Sequence, residues 1–195
     1  CILRWLAMAQ VGGGFMSDYD TLPIRDFRKE AKSLPNGGFL TVHDKHVPDL
    51  VSGSASEWLR FTHSIVESTL YHDAIHRKKK EKGEHVPPGP YWSDMKALAE
   101  WAETRPGMFE SKHDVYQVFD TPEEKLGKTW KREFCEWKTP PGVKAVHVAH
   151  SSIYRAEEAG QLYKGQDINN RAEVAKEWLA DWKRSCGNLE YPTVK

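Results

Sequence analysis

At 195 residues, with 39% apolar side chains and eight tryptophans, the chain has material for one ordinary folded domain or two small ones, and its aromatic load excludes a disordered tail. Its 28 basic and 28 acidic residues cancel, so no global field advertises nucleic acid or an anionic membrane as partner. No apolar run approaches the ~20 residues needed to span a bilayer, so no membrane span is expected. The opening "CILRWLAMAQV" lacks a signal-peptide cleavage site and begins with Cys, which suggests a processed or partial product with any targeting segment upstream. Cys1, Cys135 and Cys186 are too few and too scattered for a metal cluster or a dense disulfide framework. No Asn-x-Ser/Thr sequon occurs. The compartment stays open between a Golgi or secretory lumen and the cytoplasm.

In chain order, Ile2, Leu3, Leu6 and Ala9 share one helical face over residues 2–11, and the triple glycine at 12–14 stops that helix. "FMSDYD" (15–20) and "GGFLTVHD" (37–44) read as strands. From Ser54 the chain turns helical: Ser54 and Glu57 have capping-box spacing, and Trp58, Phe61, Ile65 and Val66 form an apolar stripe. Residues 77–90, "RKKKEKGEHVPPGP", read as a solvated loop. "SDMKALAEWAETR" is a further helix, with Met95, Leu98 and Ala102 in register. "DVYQVF" and "KREFCEW" read as strands, and "VKAVHVAHSS" (143–152) as a core strand leaving into a polar turn. An amphipathic helix from Glu173 to Arg184, striped by Val174, Trp178, Leu179 and Trp182, closes the chain. Helices and strands alternate, so the class is α/β and the expected organisation is a single domain over 1–195.

Three constellations could carry chemistry. In Asp18-Tyr19-Asp20 a strand would point both carboxylates to one side, where like charges need a cation between them; Mg²⁺ or Mn²⁺ suits such hard oxygen ligands. A polar turn is the bland reading of that pattern. In "YWSDMKALAEW", Asp94 stands at a helix start, a position where an acid ordinarily serves as a cap, and Trp92 offers a flat apolar surface. In "VHVAHSSI", His147 and His150 are acceptable Mn²⁺ ligands and Ser151 and Ser152 suit phosphate oxygens, against a hydrogen-bonded structural role. "HDAIH" (72–76) imitates the H-E-x-x-H zinc helix, but Asp73 is a methylene short of the general base and "RKKK" follows at once; a solvated helix end, rather than a zinc hydrolase, is the expectation.

The run "LRWLAMAQVGGGFMSDYDTLPI" resembles the signature of DXD glycosyltransferases of the GT-A fold, in which an Arg-bearing helix precedes Gly-Gly, an apolar strand and the D-x-D. The nearest likeness is to the sugar-transferase group of fungal Golgi mannosyltransferases and clostridial toxin glucosyltransferase domains. The resemblance implies a GT-A-like mixed sheet flanked by helices, with the nucleotide-binding half absent from this chain and supplied by a missing N-terminal segment or a second chain. It implies a metal-dependent hexosyltransferase, leaning toward retention, acting on a nucleotide-sugar donor and a glycan or protein acceptor. By the same resemblance Asp18 and Asp20 hold the metal (Mn²⁺ or Mg²⁺) and the diphosphate, and Arg4 holds the donor sugar. Asp94 and Trp92 contact sugar, and His147 or His150 with Ser152 completes the site. Ile153 stands where the group usually has Trp. The rival from another class is a non-catalytic structural or interaction subunit on a decayed transferase scaffold.

Overall fold

The computed structural model describes residues 2–24, 32–86, 92–119, 144–162 and 167–186. Among them are five α-helices and two mixed, open sheets, so the chain is mixed α/β. They fall into two compact units, one made of residues 1–18 and 27–112, the other of residues 19–26 and 113–195.

The first unit begins with helix α1 (Ile2–Gln10), which leads into strand β1 (Gly13–Ser17). A short 3-10 turn (Pro35–Gly38) precedes strand β3 (Thr41–Asp44), and a hairpin returns it as β4 (Val47–Ser54). Helices α2 (Ala55–Glu81) and α3 (Asp94–Thr104) follow, then the two-residue strand β5 (Glu110–Ser111). The sheet order is β1-β4-β3-β5; β4 pairs antiparallel with both neighbours, and β5 runs parallel to β3. Register sets Met16 opposite Val51 and Val42 opposite Val51, which aims all three into the core. Gly13 is required there: its φ is +88°, and an added Cβ would lie 2.6 Å from the Gly53 carbonyl oxygen. Trp5, Trp58, Phe61 and Trp101 fill the space between helices and sheet, with the Trp5 and Trp58 rings 5.0 Å apart.

The second unit holds strands β2 (Thr21–Pro23), β6 (Val115–Gln117) and β7 (Ala145–His147), and helices α4 (His150–Glu158) and α5 (Arg171–Cys186). Its sheet order is β2-β7-β6, antiparallel then parallel. Val146, Val148, Ile153, Val174, Trp178 and Trp182 form its core. The expected stripe of α5 holds, with Val174, Trp178 and Trp182 buried and Leu179 packed beside them.

Several expectations need correction. Helix α2 continues to Glu81, so residues 77–81 of the expected loop are helical; its last turn carries Lys78, Lys79 and Lys80, which face the negative end of the helix dipole. The strand over 143–152 gives way to α4 at His150. On α3 the buried face is Asp94, Ala97, Leu98 and Trp101, whereas Met95 is 49% exposed. Glu57 sits where a capping-box acid would: Ser54 caps α2 by accepting from the Glu57 N–H at 3.4 Å, but the Glu57 carboxylate turns to the Leu40 N–H and to Arg60. "KREFCEW" lies outside the described residues.

Candidate functional site

Strand β1 ends at Ser17, and its ladder with β4 closes with the Asp18 N–H donating to the Asp49 carbonyl oxygen at 2.7 Å. Asp18, Tyr19 and Asp20 therefore lie beyond the strand, Tyr19 and Asp20 in a turn that leads to β2. Strand alternation, the reason for expecting both carboxylates on one side, does not apply to them. The chain passes from the first unit to the second between Asp18 and Tyr19, and each acid has its own partners.

In the first unit the partner of Asp18 is Arg4. The Arg4 Nη1 is ion-paired with Asp18 Oδ1, while Nη2 and Nε donate to Asp94 Oδ2 at 2.8 and 3.2 Å. Position 4 lies on α1 one residue before the buried Trp5, whose indole N–H donates to the same Asp94 oxygen at 2.9 Å. Asp94 Oδ1 accepts from the Met95 N–H. The cap of α3 is Ser93, which accepts from the Lys96 N–H, and this leaves Asp94 as the first helical residue, 4% exposed. Burial pushes the Asp94 carboxyl up, but the Trp5 N–H, the Arg4 charge and the Met95 N–H outweigh it and hold it below the usual aspartate value. One guanidinium thus joins three of the sequence candidates: Arg4, Asp18 and Asp94.

In the second unit Asp20 Oδ2 accepts from Arg171 Nη1 at 2.6 Å, and His147 Nε2 lies 3.5 Å from the same oxygen. His147 is buried on β7, in register with Thr21 and Gln117, and the Val148 N–H donates to the Asp20 carbonyl oxygen at 2.8 Å. Burial again pushes the Asp20 carboxyl up; the imidazole of His147 and the charge of Arg171 overcome this and set it below the usual value. Arg171 also stacks on the Tyr19 ring, 4.9 Å from its centroid, and pairs with its hydroxyl. A cavity of about 560 Å³ opens beside Asp20, floored by one stripe of α5.

The other candidates are placed differently. His150 is the exposed first residue of α4, with its ring toward Tyr154. Ser152 is enclosed, donating to Gln117 Oε1 and accepting from Arg155. Trp92 stacks on His72 in the first unit at a centroid distance of 3.5 Å, so one face of its ring is covered. His72 pairs with Glu100 at 3.1 Å, and among the described residues His72 and His76 belong to no group of three metal-ligating side chains.

Arg171 went unnoticed in the sequence, although a signal was present. A cation on the first residue of a helix opposes the dipole and calls for an anionic partner, here Asp20. Asp49, fully buried in the "KHVPDL" hairpin return, was also missed; its side chain accepts from the Leu50 N–H at 2.6 Å. No family model matches the chain, and no curated protein or solved structure matches it.

Proposed function

We propose that this chain is the metal-binding portion of a GT-A-like glycosyltransferase that moves a hexose from a nucleotide-sugar donor to a glycan or protein acceptor, with retention. The observation that supports the reading most is the Arg4 guanidinium holding Asp18 and Asp94 together, three residues nominated for donor-site roles from sequence alone. Within the second unit the donor chemistry fits a hard divalent ion: Asp20 offers carboxylate oxygens and His147 an imidazole, donors acceptable to Mn²⁺, with Mg²⁺ favouring the carboxylate. The 3.5 Å between His147 Nε2 and Asp20 Oδ2 suits two groups that reach toward one ion.

When bound, the ion would supply Lewis-acid neutralisation of the leaving diphosphate. Arg4 would orient sugar hydroxyls with the N–H groups it does not spend on Asp18 and Asp94, and Asp94 would keep that guanidinium in place from the start of α3. Arg171 would hold Asp20 in its ionised form and add positive charge beside it. His150 and Ser152 take lesser parts, the first as an exposed imidazole and the second as a support for Gln117 and Arg155.

A second reading, a non-catalytic interaction protein, draws support from the same arginines, because Arg4 and Arg171 satisfy the acids without any metal. Thermal shift separates the two. On the transferase reading, saturating Mn²⁺ with a UDP- or GDP-sugar raises the unfolding temperature by about 5 °C, and Asp20→Asn removes the rise. No shift with either donor, together with unchanged behaviour of Asp20→Asn, leaves the interaction protein.

A further inference from the structure

We infer that the cavity of the second unit binds a small anionic amphiphile: an apolar chain or ring that carries a phosphate, sulfate or carboxylate. The volume, about 560 Å³, is that of a small-molecule site rather than a packing defect. Its apolar walls come from Leu22 on β2, Val148 after β7, and Ala175 and Leu179 on α5. The α5 lining residues fall at 171, 172, 175, 176, 179, 180 and 183, a single stripe of the helix, and three of them are alanines, which leaves a trough instead of a filled seam.

The charge on the walls selects the ligand. Arg171, Lys176 and Lys183 face one acid, Asp20, and Asp20 is already engaged by Arg171 and His147. Neither lysine has a carboxylate partner among the described residues. Their methylene stems extend the apolar wall while their ammonium heads stay in water, so an apolar body with an anionic head satisfies both parts at once. A neutral apolar ligand would leave the two ammonium groups unanswered. A free inorganic anion would leave the trough wet. The binding claim goes beyond the transferase reading and does not need it; only the further step, that Asp20 on the wall makes this ligand the apolar end of the acceptor, rests on that reading.

The test uses the full chain without metal or sugar nucleotide, titrated calorimetrically with dodecyl phosphate below its micelle concentration, beside dodecanol and inorganic phosphate. Saturable single-site binding of dodecyl phosphate is expected, at least about tenfold tighter than either control. Lys176→Gln with Lys183→Gln, both exposed side chains, weakens it by about tenfold with unchanged circular dichroism, and Ala175→Trp abolishes it by filling the trough. Equal affinity for dodecanol, non-saturable uptake, or a lysine double variant that binds as wild type would overturn the proposal. Should Ala175→Trp not fold, the lysine pair alone decides. Loss of the Mn²⁺ and sugar-nucleotide shift leaves this titration unmoved, so the two readings fail separately.

Discussion

Asp94, buried in the first unit, and Asp20, half-buried in the second, both have depressed pKa values, yet they are held in different ways. Asp94 accepts from four donors, an indole N–H and two guanidinium N–H groups on Oδ2 and a backbone N–H on Oδ1. Asp20 stands on the wall of a cavity, with one guanidinium and one imidazole on a single oxygen. Saturation makes the first a fixture that ties α1 to α3. Partial engagement at a cavity wall leaves the second free to exchange partners, as a ligand or substrate site requires.

The contrast is sharpest when an acid is removed. Asp94→Ala strands the Trp5 N–H and the two Arg4 N–H groups that Asp94 holds, and breaking such a pair costs about 3–5 kcal/mol; because Arg4 keeps Asp18 and some contact with water, the lower end applies. Asp20→Ala leaves the largely enclosed Arg171 without its carboxylate but with the Tyr19 ring still beneath it, and should cost about 2 kcal/mol, the loss of one charge-assisted bond. Urea midpoints of the two variants check the ratio. Equal losses would mean that the two acids are held alike.

Acid supplies the next comparison. Asp20 and Asp94 titrate below the usual value of 3.8, and Glu57 below 4.5, its carboxylate held down first by the Arg60 hydrogen bonds and also by the Leu40 N–H. A depressed carboxyl stabilises the fold fully above its unfolded pKa, and that contribution is lost as pH falls through the folded value. Stability should therefore fall between about pH 5 and pH 2. Asp94→Asn should start lower and fall less steeply, and Asp20→Asn should flatten the curve as well. Parallel curves for wild type and Asp94→Asn would remove these carboxylates as the cause.

Much of this was legible in the sequence where the physics is local. The glycine stop after α1, the Ser54 cap and the Val174-Trp178-Trp182 face depend on neighbours within one or two turns, and they fold as read; the α1 stripe does not, because Trp5 enters the core while Leu3 is 79% and Leu6 45% exposed. The register of α3 was misread because Asp94 is buried by long-range bonds to Arg4 and Trp5, which turn the helix so that Trp101 rather than Met95 enters the core. The D-x-D was misplaced for a related reason. Apolar Phe15 and Met16 suggest a strand continuing through Asp20, but pairing with β4 ends at Ser17 and the chain leaves for a second sheet. Of the candidate site, Arg4 with Asp18 and Asp94 came together, as did Asp20 with His147, whereas the Arg171 partnership spans 151 residues and no short motif records it.

The smallest effect is expected from Arg171→Met, which sets two terms against each other. Removing the guanidinium takes from Asp20 a 2.6 Å charge-assisted bond, a loss of about 1–2 kcal/mol for a largely enclosed pair. It also relieves the start of α5 of a cation that opposes the helix dipole, worth about 0.3–1 kcal/mol in the other direction. The net loss of stability should be about 0–1.7 kcal/mol, short of the Asp94→Ala loss. The electrostatic change should be plainer. With Arg171 gone the burial of Asp20 is opposed by His147 and its backbone bond alone, so its pKa rises and the acid limb of the stability curve moves to higher pH. Side-chain carboxyl NMR across the titration reads this directly at Asp20, with Asp94 as an internal control that should not move. An Asp20 resonance that titrates as in wild type would show that the imidazole carries the whole effect, and the partial engagement drawn here between two cations would reduce to one.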